Sequence, residues 1–223
     1  MHPPDHIHIL KRAGTILLVV GVIDIGIMIY CITNGIAYTS SLNIFAVIGG
    51  IFLLKGNLRA ASIIRWGAVF LLSALLSMLA VAPLLQPFNL TLTAIRLNPA
   101  MMATSFGMSF LVMALLWWLS IQLAKPPVLA ARAAAGRKTR SIYIPAILGA
   151  ALTLIFGIAG IFMQRSDSAL KATALVEKQL GASYRYHVSS LSFKKSSEGD
   201  FVSGVVTAWN PLEIKNVPFQ WQE

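Results

Sequence analysis

Carboxylates are scarce in this sequence, with 8 Asp and Glu against 18 Lys and Arg. Cysteine is nearly absent, and Cys31 stands alone inside an apolar run. One thiol closes no intramolecular disulfide, and cysteines cannot assemble a metal site here. Charge of either sign is thin: 12% of residues are charged, where a soluble domain carries about 25%. With 57% hydrophobic residues, the chain lacks the polar surface a soluble globule needs. Chemical signatures are missing too. There is no glycine-rich phosphate loop, no His-Glu-x-x-His and no serine nucleophile elbow. The apolar runs hold no paired carboxylates. These absences point to a non-catalytic protein with no cofactor and no metal.

What is present is a series of apolar runs, each near the roughly 20 residues that cross about 30 Å of hydrocarbon. Five stand out, at about Ala13 to Thr33, Tyr38 to Leu54, Ser62 to Leu85, Ala100 to Leu123 and Ile142 to Met163. Lys11 and Arg12 precede the first, but no clear small-x-small cleavage site follows it, so it reads as a retained span rather than a secretory signal. The second is the weakest. It is short, carries Ser40, Ser41 and Asn43 near one end, and has Gly49-Gly50 in its interior. A re-entrant hairpin is the alternative for it.

The distribution of basic residues decides between these. Lys11 and Arg12 come before the first run; Lys55, Arg59 and Arg65 lie between the second and third; Lys125, Arg132, Arg137, Lys138 and Arg140 lie between the fourth and fifth. The connection between the first and second runs has no basic residue, and that between the third and fourth has only Arg96. Lys and Arg accumulate in cytoplasmic loops, so five spans with a cytoplasmic N-terminus place the basic loops on one side. Trp66, Trp117, Trp118 and Tyr143 then fall toward the cytoplasmic interface, and Tyr30 and Tyr38 at the outer one, where amphipathic rings are favoured. The net charge of +10 is thus topogenic. Nucleic-acid binding would need a basic face on a folded surface, and no nucleic-acid partner is expected.

From Gln164 onward the composition changes, with 7 basic and 6 acidic residues and no long apolar run. SDSALKATALVEKQLG reads as a helix, capped by Ser166 or Asp167 and ended by Gly181. YRYHVSSLSF alternates as a strand whose inward phase shifts between Val188 and Leu191, the mark of a bulge. KKSSEGD is a turn with Gly199 as its left-handed residue, FVSGVVTAW is a second strand broken by Asn210-Pro211, and EIKNVPFQW is a third, confined by Pro218 to an edge or bulge. The expected architecture is a membrane all-α bundle of five transmembrane helices plus a small extracytoplasmic α+β domain of αβββ order. Residues 1–12 form a cytoplasmic tail, 13–163 the spans and 164–223 the outer domain.

Asp24 is the one ionisable residue deep inside a span. A charge there costs about 3 kcal/mol on insertion scales, and such residues usually face the bundle interior. Counting from the cytoplasmic edge puts Ser73, Ser77 and Thr153 near its depth, a candidate intramembrane polar cluster. Helix–helix hydrogen bonding is the first reading of Asp24, ahead of a proton or ion relay or a contact to a partner's span. Gly21 shares its helix face, and Gly149, Thr153 and Gly157 repeat every four residues; small residues at such spacings let helices approach closely. Gly21, Gly149 and Gly157 are therefore the expected packing positions.

Other polar groups carry weaker signals. His2, His6 and His8 with Asp5 have metal-compatible spacing, but a disordered tail is the reading preferred. His187 reads as structural. Val128 to Ala135 either lies as a helix on an anionic leaflet or is a plain topogenic loop, the latter preferred. Asn89-Leu90-Thr91 is a formal glycosylation sequon. Arg96, with Asn89 and Asn98, is the one outer-loop group that could bind something. Tyr184, Tyr186, Trp209, Phe219 and Trp221 should mostly form the core of the outer domain.

The functional expectation is a non-catalytic integral membrane protein of the inner membrane, an accessory, assembly or partner-binding subunit of a cell-envelope complex. Its partners are the lipid bilayer and a protein in the membrane or on the outer side, reached by the periplasmic or extracellular C-terminal domain, whose strand edges can accept a further strand. The alternatives are a small transporter or channel component that uses Asp24, and a membrane immunity-type protein.

Overall fold

A computed structural model describes residues 5–35, 43–137, 141–196 and 199–222. Among them the helices are α1 (Asp5–Thr33), α2 (Asn43–Leu54), α3 (Leu58–Leu85), α4 (Phe88–Leu97), α5 (Pro99–Gln122), α6 (Pro126–Ala134), α7 (Tyr143–Gln164) and α8 (Asp167–Leu180). Three strands follow, β1 (Arg185–Ser196), β2 (Gly199–Trp209) and β3 (Ile214–Gln222). Four helices, α1, α3, α5 and α7, are long and apolar enough to cross a bilayer. They leave large apolar side chains in the open, such as Ile147 at 66% exposure and Phe156 at 68%. A soluble monomer rarely shows contiguous apolar surface on this scale. Helices that satisfy their own backbone groups are suited to hydrocarbon instead.

Two elements differ from the sequence expectation. The second run is a helix of 12 residues, which rises about 18 Å and so falls short of the roughly 30 Å apolar layer. The start of that run, residues 38–42, lies outside the described residues. The expected N-terminal tail is helical from Asp5 onward, because HIHILKR contains no helix breaker and Asp5 complements the positive end of the helix dipole.

The chain divides into two compact units, Met1–Ser73 with Val112–Gly149, and Ala74–Leu111 with Ala150–Glu223. In the first, glycines bring α1 and α2 into backbone contact. A Cβ on Gly14 would lie 2.8 Å from the Gly50 carbonyl oxygen, and one on Gly50 would lie 2.8 Å from the Leu18 amide nitrogen. Gly21 would place its Cβ 2.8 Å from Val47 Cγ2. Gly14 thus meets the end of α2 and Gly21 meets its earlier part, so the two helices are antiparallel. The core of this unit joins Leu10 and Ala13, Leu53, Ala61, Leu119, Leu123 and Val128. The starts of α1, α3 and α6 and the ends of α2 and α5 therefore share one end. The Arg12 guanidinium lies 6.0 Å from the centre of the Trp118 ring, which fits that arrangement.

The connection after α5 is more ordered than a topogenic loop. Pro126 and Pro127 open α6, where a missing N–H costs nothing, and Gly136 at φ +67 follows it. Val128 and Arg132, four residues apart, are 0% and 3% exposed. The helix packs on its unit through that stripe instead of lying free.

In the second unit, α3 and α7 are tied side by side. Thr153 donates to the Ala74 carbonyl at 3.3 Å, and the Gln164 amide donates to the Leu85 carbonyl at 2.9 Å. A Cβ on Gly157 would lie 2.6 Å from Val81 Cγ1. Beyond α7, the Ser166 hydroxyl caps α8 by accepting the Ala169 N–H at 3.3 Å. Gly181 ends the helix at φ +83, a conformation only glycine adopts without strain. The strands form an antiparallel meander in the order β1-β2-β3. Ala169, Ala172 and Val176 of α8 pack on Val188 and Val206, with Leu191, Val217, Phe219 and Trp221 around them. The register shifts between Val188 and Ser190, the bulge that the sequence phase shift implies. Pro218 sits on the outer strand β3, opposite Val205. The middle of the KKSSEGD turn, residues 197–198, lies outside the described residues.

Candidate functional site: a cationic cleft beside the sheet

In the second unit a cleft of about 530 Å³ lies between α4 and the start of β1 with the end of β2. The FNLTLTAIRL sequence between two prolines makes α4 amphipathic. Leu90 and Ala94, one turn apart, are buried. Asn89, Leu92, Thr93 and Arg96 follow at the i, i+3, i+4, i+7 spacing of a single face, and that face lines the cleft. The opposite wall holds Ser183, Arg185, Trp209, Asn210 and Pro211. Arg185 and Trp209 are paired across β1 and β2, so one register position supplies a guanidinium and an indole together. Trp209 is 5% exposed.

A short turn fixes the far wall. The Asn210 side-chain oxygen accepts the N–H groups of Leu212 and Glu213, both at 2.9 Å, and the Asn210 N–H donates to the Glu213 carbonyl at 3.0 Å. Beyond it, Tyr184 donates to Glu213, and Lys215 approaches both, at 2.8 Å from the Tyr184 hydroxyl and 2.8 Å from the carboxylate. Lys215 and then Tyr184 hold the Glu213 carboxyl below its usual range by hydrogen bonding to its charged form. This clasp joins the start of β3 to the residue before β1.

Among the described residues, two guanidiniums and no carboxylate line the cleft, so its field is positive. Arginine is protonated at every physiological pH and cannot serve as a general base, and the lining contains no His, Lys, Asp or Glu. Fork-shaped donors of this kind bind carboxylates and phosphates in two-point fashion. Leu92, Ile95, Trp209 and Pro211 supply apolar contact around them. The volume falls in the roughly 300–1,000 Å³ range of ligand clefts.

The sequence singled out Arg96 and Asn89, and both line this cleft. Asn98 does not; it ends α4, with its N–H on the Ala94 carbonyl. Arg185, Trp209 and Asn210 were missed as partners, because only the fold of the sheet carries residues about ninety positions on to the side of α4. The Asn-Pro break and the 89/92/93/96 period were the available signals.

The intramembrane residues divide between the units. Asp24 is half-buried on α1 and Ser73 lies on α3, both in the first; Ser77 and Thr153 belong to the second. The Ser73 hydroxyl donates to the Ala146 carbonyl at 2.5 Å, much as Thr153 serves Ala74. Gly149 is buried on α7. His6 and His8, two apart on α1, point to different sides. His187 lies in β1 opposite Thr207, and burial pushes its pKa below the ordinary histidine value.

No known protein family, curated protein or solved structure matches this chain. The reading of the site rests on its own geometry.

Proposed function

We propose that this chain is a non-catalytic, multi-pass membrane protein, an accessory or assembly subunit of a cell-envelope complex, that holds an acidic segment of a protein partner in the cleft beside α4. The observation that carries this reading is the presence of Arg96, Arg185 and Trp209 in one cleft, with no carboxylate among the described residues that line it. A partner's Asp or Glu side chain would take the guanidiniums, and an adjoining apolar residue would lie on Leu92 and Trp209. The topology proposed with it has a cytoplasmic N-terminus in the inner membrane, five crossings and an outer C-terminal domain. Its support is the common end of α1, α2, α3, α5 and α6 in the first unit, where Lys11, Arg12, Lys55, Arg59, Lys125 and Arg132 fall together, as the positive-inside rule requires.

The test is purification of the full chain from its own host in mild detergent, with identification of co-purifying chains. A stoichiometric partner should be retained by wild type, be lost from the Arg96→Gln/Arg185→Gln double variant, and dissociate as salt screens the contact. A monodisperse homo-oligomer without partner, or a partner held equally well by the double variant, would overturn the assignment.

A further inference from the structure

Among the described residues, the first turns of α5 are uncovered on every side. Residues 103–111, about two and a half turns, are exposed without a break. Met108, Phe110 and Leu111 point in different directions at about 100° per residue, and they are 50%, 58% and 56% exposed. Further along, Leu116 and Leu119 are buried. The helix α7, for comparison, keeps Pro145, Gly149 and Gly157 buried at spacings of four and eight residues, the stripe a helix shows where a neighbour packs on it. The bare stretch of α5 is not wholly apolar. The Thr104 hydroxyl donates to the Ala100 carbonyl at 2.8 Å, and that of Ser109 to the Ser105 carbonyl at 2.9 Å. Ala103 and Gly107 lie about one turn apart, and a Cβ on Gly107 would meet nothing within 4 Å among the described residues. Hydrocarbon tails offer no hydrogen-bonding group to these hydroxyls, whereas a neighbouring helix can approach over the small residues and supply one.

Charge identifies the neighbour. Arg96 sits in the last turn of α4, and α5 opens three residues later at Pro99. A helix lying on residues 103–111 would therefore leave the bilayer beside Arg96 and the cleft that Arg96 shares with Arg185. A second copy of this chain, packed in parallel on the same turns, would bring a further Arg96 to that level. Like charges set face to face suppress such a pairing. A carboxylate just beyond the end of the neighbouring span would meet the guanidiniums in two-point fashion instead. Resting on the reading of the cleft given above, we propose that the first turns of α5 seat a transmembrane helix of a different membrane protein. Acidic residues directly continue that partner span, so that one partner chain occupies both α5 and the cleft beside α4.

The test uses the full chain in its native membrane, carrying the photo-crosslinking substitution Gly107→benzoylphenylalanine. Ile147→benzoylphenylalanine, at an exposed position of α7, is the comparison. The probe at position 107 should capture one other membrane protein, through an apolar span that an Asp or Glu directly follows, and the probe at position 147 should not. In purification from the same membrane, Gly107→Leu should cut recovery of that partner about tenfold. The unfolding temperature of the Gly107→Leu chain alone should equal that of wild type, since the added side chain meets nothing in its own chain. Recovery by Gly107→Leu equal to wild type, with loss in Arg96→Gln/Arg185→Gln, would overturn the helix contact and leave the cleft reading standing. Loss in Gly107→Leu with full recovery by the arginine double variant would overturn the cleft reading, and with it the shared occupancy. No crosslink at position 107, a crosslink only to a second copy or within the chain itself, or a lowered unfolding temperature of Gly107→Leu alone would overturn the proposal.

Discussion

Gly50 shows how one hydrogen atom in place of a side chain sets a helix contact. A Cβ there would meet the Leu18 amide nitrogen and the Gly14 oxygen at 2.8 and 2.9 Å, and backbone atoms cannot move aside as a side-chain tip can. A Cβ on Gly26 of α1 would meet nothing within 4 Å among the described residues. Gly50→Leu should therefore destabilise the protein by about 1–3 kcal/mol or more, as overpacking does, while Gly26→Leu should stay within about 0.5 kcal/mol. Thermal unfolding of the two variants in detergent checks the contrast, and equal effects would remove the close α1–α2 contact. Gly21 was legible from sequence as a small residue on a polar helix face. Gly50 was not, because its role exists only once α2 runs antiparallel to α1. Asp24 was legible as an anomaly of depth; its environment could not be read from spacing along a single helix.

At the scale of elements, the α/β domain is where local chemistry determined most. The Ser166 cap, the Gly181 terminus, the bulge after Val188 and the outer position of Pro218 each follow from one or two residues and their neighbours. This element also carries the acid sensitivity. Burial holds the His187 pKa below its ordinary value, so the unfolded chain takes up a proton more readily than the folded one. The stability linked to neutral His187 is complete above the unfolded value of about 6.5 and is lost as pH falls from there toward the lower folded value. The protection of β1 and β2 amides, measured relative to their intrinsic exchange rates, should therefore fall as pH drops below about 6.5, and His187→Gln should flatten that fall. An unchanged profile in the variant would place the acid-sensitive group elsewhere. Glu213 is depressed as well; its contribution is present above the ordinary carboxylate value and fades only in more acidic solution. The helix α4 was hidden for the opposite reason, and α6 was legible only as the less favoured of two readings of Val128 to Ala135. Both are about ten residues long and bounded by prolines or charges, so they resemble connections until their buried stripes, Leu90 with Ala94 and Val128 with Arg132, have something to pack on.

For the whole molecule, the number of bilayer crossings sets which side the C-terminal domain occupies. Four helices have the length and composition to do so. The antiparallel return of α2 along α1 brings Leu53 back to the level of Leu10 and Ala13, and α3 starts from that same end. The topology proposed above counts α2 as a crossing, for an odd total of five. A reporter fused after Glu223 should then be active only in the extracytoplasmic compartment. Cytoplasmic activity of that fusion would refute the five-crossing topology and move the cleft beside α4 to the inner face.

By itself, the sequence determined the solvent of this protein, the order of its apolar helices and the αβββ pattern of its C-terminal domain. These depend on composition and on periodicities that act over a few turns, which no distant contact needs to complete. The tertiary structure alone decided which polar residues meet. Arg96 finds Arg185 and Trp209, and Arg132 finds Ser62, across separations of about seventy to one hundred and ten residues. Such pairs are fixed by how helices and strands pack, and helical or strand period carries no record of them.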